Sequence, residues 1–405
     1  MDNGLVEFWS LPEDKIYLDL EKDFKDELFN RAKNYASTWA ILGQELGLER
    51  NSRGCCKVLE SSKEKRFSLR ILKKLIAYLE THGEYIDKRT IEQKITVIST
   101  KCGSSRKYAN SIFEPRIPFN FNTPSGAVVT SALLHDGGIN SKLKPHYSNP
   151  DDVELRKKVS VAFTDVFGRF VSVKSIPEIN EQLYFPTIVG IILVYGLGMQ
   201  RGRKVVNNPS VPPFIFNSSQ SVISAFLRQA FDDEAHVHHT QRNIVLKLAA
   251  SSNEPPRLLT DLKKLLQGFG IRVSGPQYHD TYRSDDGVKA SRWTIGIFGQ
   301  DNLKGFLKDI GFSCTKKQYR LHTIVNSLKE AHYSLHDKPR IVLEAMNRLQ
   351  THYGYITSRD LAIEINRCQS LAKKVIWNMV EEGNLLVKEP RCGSRGAKYS
   401  LVTEL

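Results

Sequence analysis

Apolar positions along the chain fall into two copies of one pattern. Phe226, Leu227, Ala230 and Phe231 recur at helical spacing and run directly into Asp232, Asp233 and Glu234. The segment Ile244, Val245, Leu246, Lys247, Leu248 follows and reads as a strand. A helix that ends in carboxylates therefore feeds a strand. Upstream, Val128, Val129, Ala132, Leu133 and Leu134 lead in the same way into His135, Asp136 and Gly137. Both copies set small residues (Thr130, Ser131 and Ala132; Ser224, Ala225 and Ala230) among large apolar ones. This composition predicts two helices whose backbones approach closely, with their acidic ends side by side.

The flanking pattern repeats as well. After the first copy come a strand near 139–144, a helix over 151–167, a strand over 169–173 and an apolar helix over 185–198. After the second come strands over 237–248, a helix over 256–269, strands at 271–273 and 292–298, and a helix over 302–310. Mixed helix and strand order of this kind predicts an α+β class.

Upstream of both, helices are predicted over 23–36, 37–48 and 68–79, with Ser37 as an N-cap and Gly47 near a C-terminal end. This resembles a helix-turn-helix module or, more plainly, a small helical bundle; the basic, cysteine-containing stretch 51–65 interrupts the spacing. A further helix is predicted over 89–100, and the two prolines Pro115 and Pro118 make 114–120 an extended linker. At the other end, helices over 340–352 and 369–382 flank Thr357-Ser358-Arg359-Asp360, which has capping-box spacing. Strands over 385–389 and 398–402 enclose a basic, glycine-rich tip at 391–396. Three helices and a basic hairpin resemble a winged helix. The expected domains are 1–88 (helical), 89–122 (linker), 123–215 and 216–325 (the repeated halves) and 338–405 (winged helix).

Charge narrows the partner. The net charge is +14 and the isoelectric point about 9.4, which favours a polyanion because neutralised phosphates release counterions. The longest apolar run, 188–199, contains Gly190, Gly196 and Gly198 and is too short for a bilayer, so no membrane is expected. Met1-Asp2-Asn3-Gly4 lacks a basic leader region, and a cytoplasmic, nucleoid-associated protein is expected. The cysteines Cys55, Cys56, Cys102, Cys314, Cys368 and Cys392 show no CxxC spacing, so reduced thiols are expected. His236, His238 and His239 have no third convergent ligand nearby, and outward-facing strand polars suit them better than zinc. Gly196-Leu197-Gly198 does not make a nucleotide-binding loop.

Residues 129–137 and 227–235 resemble the two LAGLIDADG motifs of the homing endonucleases, in the single-chain, double-motif form and with an archaeal-like layout. The resemblance extends over about 117–322. It implies a duplicated saddle of two αββαββα subdomains lying on double-stranded DNA, in a monomer that hydrolyses one phosphodiester per strand. It also implies that Asp136 and Glu234 are catalytic acids that bind Mg²⁺ or Mn²⁺, with Lys204 and Lys289 polarising water or contacting phosphate. Asp232, two residues before the second acid, is expected to be structural. Two positions depart from the pattern: Gln229 stands where a helix-contact glycine is usual, and Ala235 replaces the glycine after the second acid. By analogy with winged helices, Lys373, Lys374, Arg391 and Arg395 contact DNA, although the same fold also serves protein partners. Two other readings share the scaffold: a transcription regulator that no longer cuts, and an RNA maturase.

Overall fold

The computed structural model describes residues 3–48, 66–100, 111–170, 182–283, 287–327, 339–390 and 396–402. The chain is α+β, with small antiparallel sheets among many helices, and divides into two compact units. The first holds 1–234, 247–265 and 276–293; the second holds 235–246, 266–275 and 294–405.

In the first unit, four short strands form a sheet in the order β3-β2-β4-β5: β2 (Tyr17–Leu20), β3 (Phe67–Ser68), β4 (Ile95–Ser99) and β5 (Ser111–Phe113). Leu18 and Leu20 alternate inward along β2, as a half-buried strand requires. Against this sheet's own segment of chain lie α1 (Lys22–Ala36), α2 (Trp39–Glu45), α3 (Leu69–Thr81) and α4 (Lys88–Gln93). Residues 1–88 are therefore not purely helical as expected. Ser37, expected as an N-cap, instead closes α1 with a left-handed φ of 64°, and Thr38 caps α2 by accepting from the Ile41 amide. The helix expected over 89–100 stops at Gln93 because Ile95-Thr96-Val97-Ile98, rich in β-branched residues, extends as β4. Residues 89–122, expected as a linker, also hold β5 and β6 (Phe119–Asn120), and β6 pairs with β1 (Leu5–Val6).

Next comes α5 (Pro124–Leu134), with Pro124 in its first turn and the Thr123 hydroxyl accepting from the Gly126 amide. Every residue from Gly126 to Leu134 is buried. The reason is that α5 lies between α6 (Val153–Phe167) and α10 (Gln220–Glu234) and has no solvent face. β7 (Gly137–Ile139), β8 (Pro145–Ser148) and β9 (Gln182–Tyr184) form a three-stranded sheet after it. The apolar helix expected over 185–198 is α7 (Thr187–Ile191), which continues as one π-helical stretch, Ile192–Gly196. A side chain at Gly196 would collide with Val6 and Leu11. Two short helices, α8 (Lys204–Asn207) and α9 (Pro213–Phe216), lead into α10.

Helix α10 passes straight into β10 (Ala235–His238), which pairs with β11 (Asn243–Ala250) in the register Ala235↔Leu246 to His238↔Asn243. The sheet runs β10-β11-β13-β12, with β12 (Val273–Arg283), β13 (Lys289–Phe298) and α11 (Arg257–Gly268) between the hairpins. Strand β12 is far longer than the 271–273 expected. In the second unit α12 (Gln300–Asp309) and α13 (Thr315–Ser327) follow, the latter packed against β10 and not anticipated from the sequence.

The last module consists of α14 (Pro339–Tyr353), α15 (Ser358–Glu364), α16 (Gln369–Glu381) and the antiparallel pair β14 (Leu385–Glu389) and β15 (Lys398–Leu401). Its own core joins Val342, Met346, Leu349, Ile356, Leu361 and Ile376. Thr357 caps α15, accepting from the Asp360 amide at 3.1 Å, as the capping-box spacing predicts.

Two glycines separate crowding from propensity. At Gly126 a Cβ would fall inside the backbone of Phe121, so Gly126→Ala is expected to lose about 3 kcal/mol, the upper end of overpacking costs. At Gly305, inside α12, the nearest atom to a Cβ is 3.6 Å away, so Gly305→Ala is expected to gain about 0.5 kcal/mol. Urea denaturation of the two variants beside the parent protein checks both signs.

Candidate functional site

The seam between α5 and α10 is closed by small side chains and by one hydrogen bond across it. Ser131 Oγ donates to the Phe226 carbonyl at 2.9 Å, and Thr130 Oγ1 donates back to the Gly126 carbonyl at 2.8 Å. The two helices therefore end together. At the foot of α5, His135 is buried and its Nδ1 bonds the Ser131 carbonyl at 2.8 Å. Burial, and then the nearby Lys204 charge, push its imidazole down to about 3, so it stays neutral.

Asp136 and Gly137 follow. A Cβ at Gly137 would lie 2.5 Å from the His146 carbonyl oxygen and 2.8 Å from that of Ala132, so only glycine lets β7 start there. The Asp136 carboxylate accepts from Asn149 Nδ2 at 3.4 Å. In the other copy α10 ends at Glu234 and β10 begins at Ala235, whose φ is not among the left-handed values of the described residues. Ala235 therefore stands in place of the motif glycine without left-handed strain. Its methyl is buried in the room that the first copy lacks.

Gln229 is fully buried, and its side-chain amide is engaged. Its Nε2 donates to Asp233 Oδ1 at 2.9 Å and lies 3.3 Å from the Tyr147 hydroxyl, which itself donates to Asp233 Oδ1 at 2.7 Å. Asp233 is thus a third carboxyl at the foot of the helix pair. Burial, and then the negative charge of Asp136, raise its proton affinity well above the usual carboxylate range. Burial, and then Asp233, likewise push the Tyr147 phenol up, so it remains a donor. The second oxygen, Asp233 Oδ2, is buried without a hydrogen-bond partner. Asp232 points elsewhere, buried 3.8 Å from the Lys158 amine of α6.

Lys204, the first residue of α8, donates to the Gly137 carbonyl at 2.8 Å. Burial lowers its affinity for the proton, while Glu234, Asp136 and Asp233 draw it back up. One lysine thus lies within the field of three acids drawn from both helix ends. A cavity of about 250 Å³ opens beside it, lined among others by Leu134, Lys204, Glu234, Lys247 and Arg292. Lys289, the expected partner of the second acid, is exposed at the start of β13 and does not line this cavity. Lys247 and Arg292 do. Lys247 is 3.0 Å from His279 Nε2, and Arg292 is held by Asp280 through bonds of 2.6 and 2.8 Å. The signal for Lys247 was present in the sequence, as the one charged residue inside an apolar strand. Arg292 depended on a strand pairing across the sheet, which the sequence does not show.

Lys373 and Lys374 are exposed on α16. Arg391 and Arg395 lie outside the described residues. His236 and His238 stand with ring centroids 4.3 Å apart, and among the described residues no three His, Cys, Asp or Glu side chains form a metal cluster. No described helix is long and apolar enough to cross a membrane.

Paired helices that end in acids, each feeding an antiparallel sheet and sharing a buried lysine, define a scaffold with an acidic centre in a strongly basic chain. Residues 221–311 match the family model of the LAGLIDADG-like domain. The chain is also 29% identical over 153 residues to the probable translation initiation factor IF-2 of Thermococcus kodakarensis, a match covering 38% of this chain. That match spans only 11% of the factor's own length.

The carboxyl network has a measurable strength. Tyr147→Phe is expected to cost about 1–3 kcal/mol by leaving Asp233 short of a donor. Because Gln229 shares the same acceptor, a double-mutant cycle of Tyr147→Phe with Gln229→Leu should depart from additivity by at least about 0.5 kcal/mol. Equilibrium unfolding of the four proteins in urea provides the test.

Proposed function

We propose that this protein is a site-specific, Mg²⁺-dependent double-strand DNA endonuclease of the homing type. One observation carries the reading: Lys204 Nζ donates at 2.8 Å to the carbonyl of Gly137, next to Asp136, and lines one cavity with Glu234, so that one amine joins the feet of both seam helices. Asp136 and Glu234 would hold the cation through carboxylate oxygens, and the orphaned Asp233 Oδ2 adds a third oxygen to the donor set. An all-oxygen set fits Mg²⁺ or Mn²⁺, with water and phosphate oxygens completing the coordination. When bound, such an ion supplies an activated water and stabilises the departing oxygen.

The chain's own residues do the rest. Lys204, its charge retained by three acids, neutralises the phosphate that enters the cavity. Lys247 and Arg292 line the same space and fix the backbone there. Tyr147 and Gln229 hold Asp233 through Oδ1, which leaves Oδ2 for the cation.

In this reading the halves 123–215 and 216–325 form a duplicated saddle on DNA, and 338–405 is a winged helix. Lys373, Lys374, Arg391 and Arg395 would then extend the contact, in a monomer associated with the nucleoid in the cytoplasm. The core of the last module and the exposure of Lys373 and Lys374 support the winged-helix assignment. The match to a translation factor spans too little of that factor to carry its role across.

A second reading, a DNA-binding regulator that does not cut, is favoured by one observation: the motif glycine of α10 is replaced by Gln229, locked into a buried network. Incubation of the purified protein with a randomised plasmid library separates the two. Cleavage in Mg²⁺ but not in Ca²⁺ is expected, lost in Asp136→Asn and in Glu234→Gln, with binding in Ca²⁺ retained. Lys204→Met is expected to slow cleavage about 100-fold. Tight specific binding with no nicking in Mg²⁺ would establish the regulator instead.

A further inference from the structure

Within the second unit a cavity of about 270 Å³ is lined by Arg242, Arg359, Arg367, His239, Ser327 and Gln369, among others. It shares no residue with the acidic centre. Its charged lining comes from three separate segments: the turn between β10 and β11, helix α15, and the loop before α16. Among the described residues no aspartate or glutamate lines it. The nearest acids along α15 are engaged on another side, Glu364 with Arg348 at 2.7 Å and Asp360 with the Thr357 hydroxyl at 2.6 Å.

The arginines are held in place at a cost. Arg242 has a left-handed φ of 50° and donates through Nη1 to Asn366 Oδ1 at 2.9 Å. Asn366 is itself left-handed, with φ 52°, and its carbonyl accepts from Arg367 Nη1 at 3.0 Å. Two sparsely populated backbone conformations, on two segments far apart in sequence, thus meet at one asparagine. The arrangement brings cations together: burial weakens the hold of Arg242 on its proton, Cys368 opposes that, and the charge of Arg367 adds to it. Arginines from three segments thus line one hollow in which no described residue supplies a carboxylate. An oxyanion is what such a hollow lacks.

We propose that this cavity binds a phosphate group, held by Arg242, Arg359 and Arg367. Guanidinium forks match phosphate oxygens in geometry as well as charge, and Gln369 and Thr240 add neutral donors. The volume lies below the usual range for pockets that enclose a whole small-molecule ligand, which suits a phosphate whose ester substituents stay outside. Two sources share that chemistry: the backbone of bound DNA, and free phosphate. A phosphate seated here ties the β10–β11 turn to the helices of the C-terminal module. The site does not depend on cleavage at the acidic centre, so it survives if that reading fails.

The test uses the full chain. Inorganic phosphate is expected to raise the melting temperature of the parent protein above that in sodium chloride of equal ionic strength. The rise should disappear in Arg359→Gln, an exposed position where the fold is not at stake, and in Arg242→Gln, and return in part in Arg242→Lys. In phosphate-free buffer, binding of a 20-base-pair duplex is then measured against salt. A slope of log K against log salt that is smaller by about 1 in Arg359→Gln assigns the site to the DNA backbone. An unchanged slope with phosphate stabilisation lost assigns it to free phosphate. No stabilisation by phosphate beyond chloride, together with an unchanged slope, overturns the proposal.

Discussion

The contact between α5 and α10 is the constraint on which the first unit depends. Thr130, Ser131, Ala132, Ala225 and Ala230 keep the two backbones close enough for Ser131 Oγ to reach the Phe226 carbonyl. Such a bond between a side chain and a buried main-chain acceptor is worth about 1 kcal/mol net, but losing it would strand the acceptor at greater cost. The close approach decides the rest of the site. It brings the helix ends together, sets Asp233 within the field of Asp136, and leaves Lys204 to balance them.

Close packing also makes the two halves unequal. Gly137 is forced by the carbonyls of His146 and Ala132, whereas Ala235 has room for its methyl. Gln229 fills the seam where a smaller residue would fit, and it repays its bulk by donating to Asp233. Tyr147, from β8 of the first half, completes that network with Asp233 of the second. The two helix ends are therefore joined through unlike side chains.

What the sequence disclosed follows the range of the forces involved. Helices α5, α6, α10, α11, α12, α14 and α16 were legible because their apolar spacing, caps and breakers are local. The capping box at Thr357 was legible for the same reason. The sheet of the first unit was not: β3 is two residues long, and its pairing with β2 joins Phe67 to Leu18 across a span without periodic signal. At the site, the acids at 136 and 234 stood out because each ends an apolar run. The roles of Tyr147, Gln229 and Arg292 depend on partners 86, 82 and 12 residues away, distances at which a linear pattern says nothing. Lys289, implied by the resemblance, is exposed at the start of β13, while Lys247 and Arg292 line the cavity.

Helix α5 has no face that meets water, so each of its positions answers to two neighbours at once. A chain built on such an axle cannot vary there without disturbing both halves. Strand β12, by contrast, is mostly open along its eleven residues. Divergence between descendants of this scaffold should therefore accumulate on the sheets, where side chains can be exchanged singly, while the axle is inherited almost intact.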